Sequence, residues 1–485
     1  MRSSNKKTSI DNLLRWLSIL AIILAIVFIF TNSLSLGNSS PIVVVSFIIN
    51  SVINISLLAL SLSKDGISLR VTFFFFNSIF FGLVPLAQYV LGRWLFLSSY
   101  QNLLYANILI LYASIFFCCG YKLSKVRSKR YLRKLINRKK KQQHQTCSIS
   151  NKGFVFLILL VSLFAGFVIY QSGLNSLFLR SGSGVTRAVG GWGPLGLISQ
   201  YFGRPLPLVL LLFSFYKFRF GRQQYFFNLL LIGCSIFLTL LLNFPLGIAR
   251  FYAFTVYLAI TITLIRPNKK KSYLYLAILL FGLLGSSILD GFRHASSLID
   301  VNINFEFSPN SFFVGHYDAY ENFVHAIDYV DANGNTWGRQ LLGAVLFWVP
   351  RSIWADKPIS TGAYIADEHL RTFVTVHNTN LSSPYIEELY IDFNILAVII
   401  GCFLMGWLFG YLDYLYQRMS NDSFSQVDFY VQPEPMYFIL YPTLIGLSLL
   451  WLRGAAMSAF AYTSGMVAAY AFVRFILVQP HKRFR

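Results

Sequence analysis

The chain has few charged residues, and acidic residues are the scarcest of them. Only 12% of its 485 residues are charged, whereas 55% are hydrophobic, and this composition excludes an ordinary soluble protein. Its five cysteines lie in apolar runs or in one basic segment, which excludes a disulfide framework and a cysteine-based metal site. The 41 Lys and Arg exceed the 19 Asp and Glu. Most of these cations flank apolar runs, so the pattern favours a lipid bilayer over nucleic acid as the partner.

Apolar runs long enough to cross a membrane recur along the chain. A membrane-spanning helix needs about 20 mostly apolar residues, and this criterion predicts an all-α polytopic membrane protein with about twelve spans. The predicted spans are Leu13–Phe30, Pro41–Leu62, Val71–Leu91, Leu103–Tyr121, Gly153–Tyr170, Pro205–Tyr216, Tyr225–Phe244, Phe251–Ile265, Tyr273–Leu289, Ile395–Leu412, Tyr437–Leu452 and Ala455–Leu477. The first is interpreted as a retained span because no convincing signal-peptide cleavage site follows it. The sixth is the weakest, since an apolar run this short must recruit neighbours such as Arg204.

The distribution of basic residues predicts the orientation. With both termini cytoplasmic, the inner segments contain 30 Lys and Arg and the outer segments contain 11, which satisfies the positive-inside rule. The basic cytoplasmic loop 122–152 is interpreted as an orientation anchor that contacts anionic lipid head groups. Residues 1–289 then comprise spans one to nine, with an outer Gly- and Arg-containing loop at 173–204. Residues 290–392 form one large helical extracytoplasmic loop domain, and residues 393–485 comprise the last three spans.

The outer segments prefer arginine to lysine. They contain ten Arg and one Lys, whereas the inner segments contain 14 Arg and 16 Lys. Membrane topology treats the two residues alike, so the orientation does not explain this difference. Arg grips phosphate and carboxylate with a planar set of donors, and the bias indicates an anionic, phosphate-bearing ligand. Pairing of individual arginines with acids of the outer loop is the alternative.

The large outer loop contains most of the ionisable residues. It contains 13 of the 19 acidic residues and five of the seven His. Apolar residues recur at helical spacing between Ala319 and Val330. The following Asp331–Asn335 is a turn signal that only partly matches a calcium loop, because its Gly is displaced and no Glu closes it. The ligand set is therefore incomplete, and we predict no calcium site in this stretch.

Two outer elements have the same sequence spacing, in which ten residues separate an Arg from a Gly. The first runs from Arg180 to Gly191 and the second from Arg351 to Gly362. The first contains the Gly-rich stretch from Arg180 to Arg187, whose backbone amides can approach a phosphate closely.

The second element has a stiff backbone. In the sequence Pro350-Arg-Ser-Ile-Trp-Ala-Asp-Lys-Pro358, the prolines restrict the chain and aim Arg351 and Lys357. Trp354 offers a flat face to a sugar ring, or anchors the loop at the membrane interface. The alternative to ligand binding is an ion pair of Asp356 with Arg351 or Lys357.

These elements resemble those of a known family. The Pro-Arg-x-x-Trp-x-x-Lys-Pro motif, the paired Arg-to-Gly elements and Ser383-Pro-Tyr-Ile-Glu-Glu-Leu-Tyr-Ile-Asp-Phe393 running into a span resemble the oligosaccharide repeat unit polymerases, the O-antigen (Wzy) polymerase family. The resemblance covers the layout of the whole chain and about 60 residues of motif. It implies a fold similar to the C-type membrane glycosyltransferases, no metal or other cofactor, and an inner-membrane location with an extracytoplasmic active site. One departure is Asn394, where the resemblance leads us to expect Gly.

The resemblance also implies a reaction. Members join oligosaccharide repeat units carried on undecaprenyl pyrophosphate, and a chain-length regulator protein is an expected partner. Negative charge grows on the leaving pyrophosphate, and fixed cations can stabilise it. We predict that Arg180, Arg187 and Arg351 bind the pyrophosphate, supported by Arg204, Arg250 and Lys357. Arg204 and Arg250 lie close to predicted spans, where charges are costly and usually functional.

The acceptor hydroxyl needs a proton acceptor within hydrogen-bond reach. We favour Glu388 for this role and place His377 second, because its His-Asn sequence resembles an element of the O-antigen ligases. Glu387, His316 and Asp318 are further candidates, and Asp318 is also predicted to bind sugar together with Trp354.

Two other functions use a similar layout. A ligase that moves finished glycan onto a lipid core shares the spans and the outer arginines. A flippase for lipid-linked oligosaccharides also has about twelve spans, but it is expected to show two similar halves and short outer loops. This chain has one outer loop of about a hundred residues and no visible repeat, which disfavours the flippase. Only substrate assays separate the ligase from the polymerase.

Overall fold

The computed structural model describes residues 40–90, 99–139, 147–178, 194–220, 224–265, 272–288, 317–368, 381–422 and 435–480. These residues are almost all helical. The helices of the first half are α1 (Pro41–Asp65), α2 (Leu69–Ser78), α3 (Val84–Val90), α4 (Tyr100–Lys139), α5 (Asn151–Ser172), α6 (Asn175–Phe178), α7 (Pro194–Ile198), α8 (Pro205–Phe220) and α9 (Tyr225–Leu242). Those of the second half are α10 (Arg250–Ile265), α11 (Ser272–Ile288), α12 (Ala319–Asn333), α13 (Arg339–Val345), α14 (Thr361–Glu368), α15 (Tyr385–Asp422), α16 (Pro435–Arg453) and α17 (Ala456–Leu477).

Short non-α elements complete the chain. Single π-helical turns, Ile79–Leu83 and Ser199–Gly203, join α2 to α3 and α7 to α8. Strands β1 (Cys147–Ile149) and β2 (Val478–Pro480) pair antiparallel, with Ser148 opposite Gln479. This pairing ties the start of α5 to the end of α17.

Most of the predicted spans are helices in the structure. Within the part of the chain that the structure describes, nine helical segments are long and apolar enough to cross a membrane, and the helices at Arg250–Ile265 and Tyr273–Gly282 are apolar but shorter. The multi-pass helical architecture is therefore supported, whereas the count of twelve spans stays a prediction. The first predicted span lies outside the described residues. The sixth extends further than predicted, over Leu195–Phe220, because the π-helical turn continues the helix through Arg204.

The buried residues form two hydrophobic clusters that share two helices. The first cluster gathers α1 to α4 with α12 and α15, and the second gathers α5, α8, α9 and α17. Each of the helices α10 and α16 contributes one face to the first cluster and its opposite face to the second. They approach closely at Gly446, where a Cβ atom would lie 2.6 Å from the Cα of Thr255. Small residues permit such close packing of membrane helices.

The segment predicted as a separate outer domain shares the core of the spans. Helix α12 buries Tyr320, Phe323 and Ile327 in the first cluster. The Tyr320 ring lies 5.1 Å from that of Phe47 in α1, and its hydroxyl donates to the Leu103 carbonyl at 3.0 Å. The described part of this segment therefore belongs to the same packed body as the helices beneath it.

Helix α15 bends at the departure noted in the sequence. Its first part begins at Tyr385, its backbone leaves helical geometry at Phe393 and Asn394, and helical geometry resumes at Ile395, the predicted start of the tenth span. Asn394 has a φ of 57° and a ψ of −150°, a conformation that only Gly adopts easily. Its side-chain oxygen accepts a hydrogen bond from the Ile395 amide at 2.7 Å, which caps the second half of the helix. The expected Gly therefore corresponds to a real backbone requirement, which Asn meets here.

Three buried carboxylates of α15 each cap the N-terminus of another helix. Asp413 accepts from the Leu69 amide of α2 at 3.0 Å, and Asp392 accepts from the Leu341 amide of α13 at 2.8 Å. Glu388 accepts from the Ala456 amide of α17 at 2.9 Å. A carboxylate at a helix N-terminus satisfies free amides and complements the helix dipole. Helix α15 thus fixes the positions of three other helices.

Candidate active site

The candidate site lies where helices from both clusters end together. Arg250 is the first residue of α10 and Arg453 is the last residue of α16. Because these helices pack against each other, the two guanidinium groups reach the same end of the body. A two-residue turn, Gly454–Ala455, then leads into α17.

Arg453 forms the central ion pair of this site. One guanidinium nitrogen lies 3.0 Å from Asp318 Oδ1, and both side chains are largely buried. The guanidinium also lies over two aromatic rings, 4.8 Å from the centre of Phe251 and 5.7 Å from that of Phe80. A guanidinium keeps its charge in such surroundings and interacts favourably with aromatic faces. The site therefore holds a fixed positive charge against an apolar wall.

Other side chains fix the Asp318 carboxylate. The Ser382 hydroxyl donates to Oδ1 at 2.7 Å, and the Asn322 amide donates to Oδ2 at 3.1 Å. The same Asn322 nitrogen contacts the carbonyl and the hydroxyl of Ser382, each at 2.9 Å. Three segments that are distant in sequence thus meet around one carboxylate.

Glu388 lies close by, but both of its carboxylate oxygens are engaged. Oε2 accepts from the Thr361 hydroxyl at 2.6 Å, and Oε1 accepts from the Ala456 amide at 2.9 Å. Ala456 is three residues beyond Arg453, so these contacts hold the turn that carries the guanidinium. This geometry favours a positioning role for Glu388.

Glu387 is fully buried beside it. Its Oε1 accepts from the Ser383 hydroxyl at 2.9 Å, while its Oε2 has no hydrogen-bond partner among the described residues. The site therefore gathers three carboxylates, of which Asp318 is the most accessible.

The second Arg-to-Gly element ends at this site. Gly362 lies in the first turn of α14, and a Cβ atom there would lie 2.2 Å from the Leu381 carbonyl oxygen. Its neighbour Thr361 donates to Glu388, and Leu381 leads directly to Ser382. The absence of a side chain at residue 362 thus permits the backbone approach that assembles the site.

Arg351 and Lys357, the cations of this second element, form hydrogen bonds within their own loop. Lys357 Nζ donates to the Phe347 carbonyl and to the Val349 carbonyl, the latter at 3.0 Å. Arg351 is exposed and donates to the Lys357 carbonyl at 2.8 Å. Burial, with a smaller effect of the Arg351 charge, lowers the pKa of Lys357 below its ordinary value. Neither cation contacts Asp318 or Glu388 in this structure.

Two other residues of this loop were singled out by the sequence. Trp354 is half-buried. Asp356 forms no ion pair with Arg351 or Lys357 among the described residues; instead, its backbone carbonyl accepts from Arg339 at 3.1 Å.

Arg250 faces an apolar cleft next to Arg453. The cleft is lined by Arg250 together with Phe75, Phe80, Phe251, Phe254 and Leu449. Because Phe80 and Phe251 also contact Arg453, both guanidinium groups adjoin the same aromatic wall. The arrangement suits a ligand with an anionic group and an apolar portion.

Arg204 lies in the second cluster, on the other side of α10. It is buried, and its backbone carbonyl accepts from the Asn243 side chain at 3.0 Å. Its guanidinium makes no hydrogen bond with the part of the chain that the structure describes. Tyr252, whose ring stacks on Tyr462 at 4.5 Å, lies within electrostatic range of it.

Four candidate site residues, Arg180, Arg187, His316 and His377, lie outside the described residues. Of the others, the structure brings Asp318 and Glu388 together and places Arg250 on the adjoining cleft. Arg453 was counted among the outer arginines but not predicted for the site. Its signal was its position as the sole charged residue in a short turn between two spans, where a charge is usually functional.

The two guanidinium groups of this site, those of Arg250 and Arg453, suit an anion. No group of three or more His, Cys, Asp or Glu with metal-binding geometry occurs within residues 40–480 where the structure describes them.

No family model, no curated protein and no solved structure matches the chain.

Proposed function

We propose that this protein is a metal-independent membrane glycosyltransferase that polymerises oligosaccharide repeat units carried on undecaprenyl pyrophosphate. The observation that carries the proposal is the Arg453–Asp318 ion pair set against an aromatic wall. It combines a cation for a leaving pyrophosphate, a carboxylate for an acceptor hydroxyl and an apolar surface beside them. The resemblance of the sequence to the repeat unit polymerases supplies the substrate class.

In the proposed reaction, the acceptor hydroxyl attacks the anomeric carbon of the growing glycan. The bond from that carbon to the pyrophosphate oxygen breaks, and undecaprenyl pyrophosphate leaves. Arg453 and Arg250 neutralise the charge that develops on the leaving group. Asp318 accepts the hydroxyl proton.

The ion pair couples binding to proton transfer. A pyrophosphate carries more negative charge than a carboxylate and offers more acceptor oxygens, so it competes with Asp318 for the Arg453 donors. Loss of that contact leaves Asp318 Oδ1 with the Ser382 hydroxyl alone. The base is therefore exposed only when the donor substrate is in place.

The remaining predicted residues have roles within the same proposal. Arg180, Arg187, Arg204, Arg351 and Lys357 are proposed to guide or hold the pyrophosphate, and Trp354 to contact sugar. His377 stays the alternative base. The reaction is placed on the outer face of the cytoplasmic membrane, with both termini inside and a chain-length regulator as a protein partner.

The test is a ladder assay with purified protein in lipid nanodiscs and lipid-linked single repeat units. Wild-type protein is expected to produce a ladder of glycans, and Asp318→Asn to produce none because the amide cannot accept the proton. Arg351→Ala and Arg180→Ala test the proposed role of the two loop cations in holding the pyrophosphate. When a lipid core is added as a second acceptor, a single transfer to it without a ladder would instead identify a ligase.

Glu388 variants separate a positioning role from that of a base. Gln can keep both contacts, because its oxygen accepts from the Ala456 amide and the Thr361 hydroxyl can rotate to accept from its nitrogen. We therefore expect Glu388→Gln to retain most ladder formation. Glu388→Ala leaves two buried donors unsatisfied and is expected to lower the free energy of unfolding by about 1–3 kcal/mol. Complete inactivity of Glu388→Gln at unchanged thermal stability would restore Glu388 as the base.

A further inference from the structure

Helix α13 and the turns after it expose a row of large apolar side chains. Leu342, Val345, Trp348 and Ile353 are between 47% and 79% exposed, and we call these four residues the Trp348 surface. Leu342 and Val345 share one helix face at a spacing of three residues, whereas Gly343 and Ala344 point inward and are buried. The sequence placed this whole segment in an aqueous loop, where such a surface is unfavourable.

The segment is held rigidly against the bend of α15. Besides the Asp392 cap on α13, the Thr336 amide donates to the Ile391 carbonyl at 2.9 Å and the Trp337 amide to the Asp392 carbonyl at 3.1 Å. A Cβ atom on Gly338 would lie 2.8 Å from the Phe393 ring. The depth of helix α13, and with it that of Leu342 and Val345, is therefore fixed relative to α15.

The bend places this surface next to a face suited to lipid. Phe393, Leu396 and Ile400 of α15 are exposed apolar residues within a candidate membrane span. The Trp337 ring contacts the Phe393 ring at 6.5 Å, so the apolar surface continues from the span onto the α13 segment. Exposed Arg339 and Arg351 lie in the same segment, at a suitable place for lipid phosphates.

We propose that helix α13 and the turns to Ile353 lie in the membrane interface, with the Trp348 surface in the acyl region. Tryptophan favours this zone, and cations beside it pair with head-group phosphates. The segment is thus a membrane-seated element rather than part of a solvated domain. Arg351 is then held at the depth where the phosphate groups of lipids lie. The inference concerns membrane contact alone and stands whether or not the protein transfers glycans.

Depth measurements with spin labels test this placement. In a chain whose five native cysteines are replaced, nitroxide labels are introduced at Leu342→Cys and Ile353→Cys. Asp356→Cys, in the same loop, is the aqueous control, and Leu396→Cys is the lipid control. In nanodiscs we expect the labels at 342 and 353 to collide several-fold more often with oxygen than with a soluble nickel chelate. The label at 396, the lipid control, is expected to show the same ratio. Nickel accessibility equal to that at 356 would overturn the inference.

A second measurement avoids replacing cysteines. Trp348→Phe in the otherwise native chain is compared with wild type in nanodiscs that contain phospholipids brominated near the head group. The fluorescence attributable to Trp348, taken as the difference between the two proteins, is expected to be strongly quenched. A difference spectrum unaffected by bromine would place Trp348 in water and contradict the proposal.

Discussion

Replacing Arg453 by Ala is expected to slow glycan transfer by about 10²- to 10³-fold, the usual cost of removing one fixed group that stabilises developing negative charge. Arg453 is central because it contacts Asp318 and the aromatic wall simultaneously. Arg453→Lys keeps the charge but loses the planar pair of donors, so it is expected to restore activity only in part. The measurement is the initial rate of ladder formation at saturating lipid-linked substrate.

Controls distinguish a chemical role of Arg453 from a structural one. Arg339→Gln removes another cation of the predicted outer side, one that donates only to the Asp356 carbonyl in this structure, and it is expected to leave the rate nearly unchanged. The double variant Asp318→Asn/Arg453→Gln removes both charges of the ion pair, so it avoids an uncompensated buried charge. It is expected to regain thermal stability but not activity. Recovery of activity in that variant would show that the ion pair is only structural.

The second large effect is expected at Gly362. In Gly362→Ala the added Cβ would meet the Leu381 carbonyl oxygen at 2.2 Å, and a backbone atom cannot move aside as a flexible side chain does. Overpacking of this kind costs about 1–3 kcal/mol in unfolding free energy. The resulting shift also displaces Thr361 and Ser382, and a displacement of about 1 Å can cost about 10²-fold in rate. Thermal unfolding and ladder rate are measured together.

Gly166→Ala provides the matched control. Gly166 lies in helix α5, and no atom lies within 4 Å of a Cβ added there. Its ladder rate is expected to stay at the wild-type value, and its thermal midpoint is expected to stay at that value or rise slightly, because Ala favours a helix more than Gly does. If Gly362→Ala behaved like Gly166→Ala, the close approach of α14 to the Leu381 backbone would not be what assembles the site.

The helical body could be predicted because apolar runs report membrane helices directly. Helix ends were less predictable. The tenth span is predicted to start at Ile395, and in the structure helical geometry resumes there after the break at Phe393 and Asn394. The sequence did not predict the helix before the break, which begins at Tyr385 and carries Glu388 and Asp392, whose carboxylates accept hydrogen bonds from other helices. Likewise, Arg204 lies within a continuous helical segment rather than at the edge of a short one.

The composition of the site was only partly predictable. Arginine enrichment indicated an anionic ligand, and Asp318 and Glu388 were both singled out. What the sequence could not supply was the pairing of Asp318 with Arg453, which are 135 residues apart. Nor could it distinguish a carboxylate that caps a helix from one that accepts a substrate proton, because that depends on which backbone amide arrives in three dimensions. Asn394 shows the opposite case, in which an expected Gly pointed correctly to an unusual backbone conformation.

The central claim is transfer of glycan from one lipid pyrophosphate to another unit, and the most direct measurement is the yield of released carrier. Purified protein is given lipid-linked repeat units with separate labels on the carrier and on the sugar. We expect one undecaprenyl pyrophosphate to be released for every new glycosidic bond, and neither product to form with Asp318→Asn. Movement of intact lipid-linked units across the bilayer with no release of carrier would contradict it and identify a transporter.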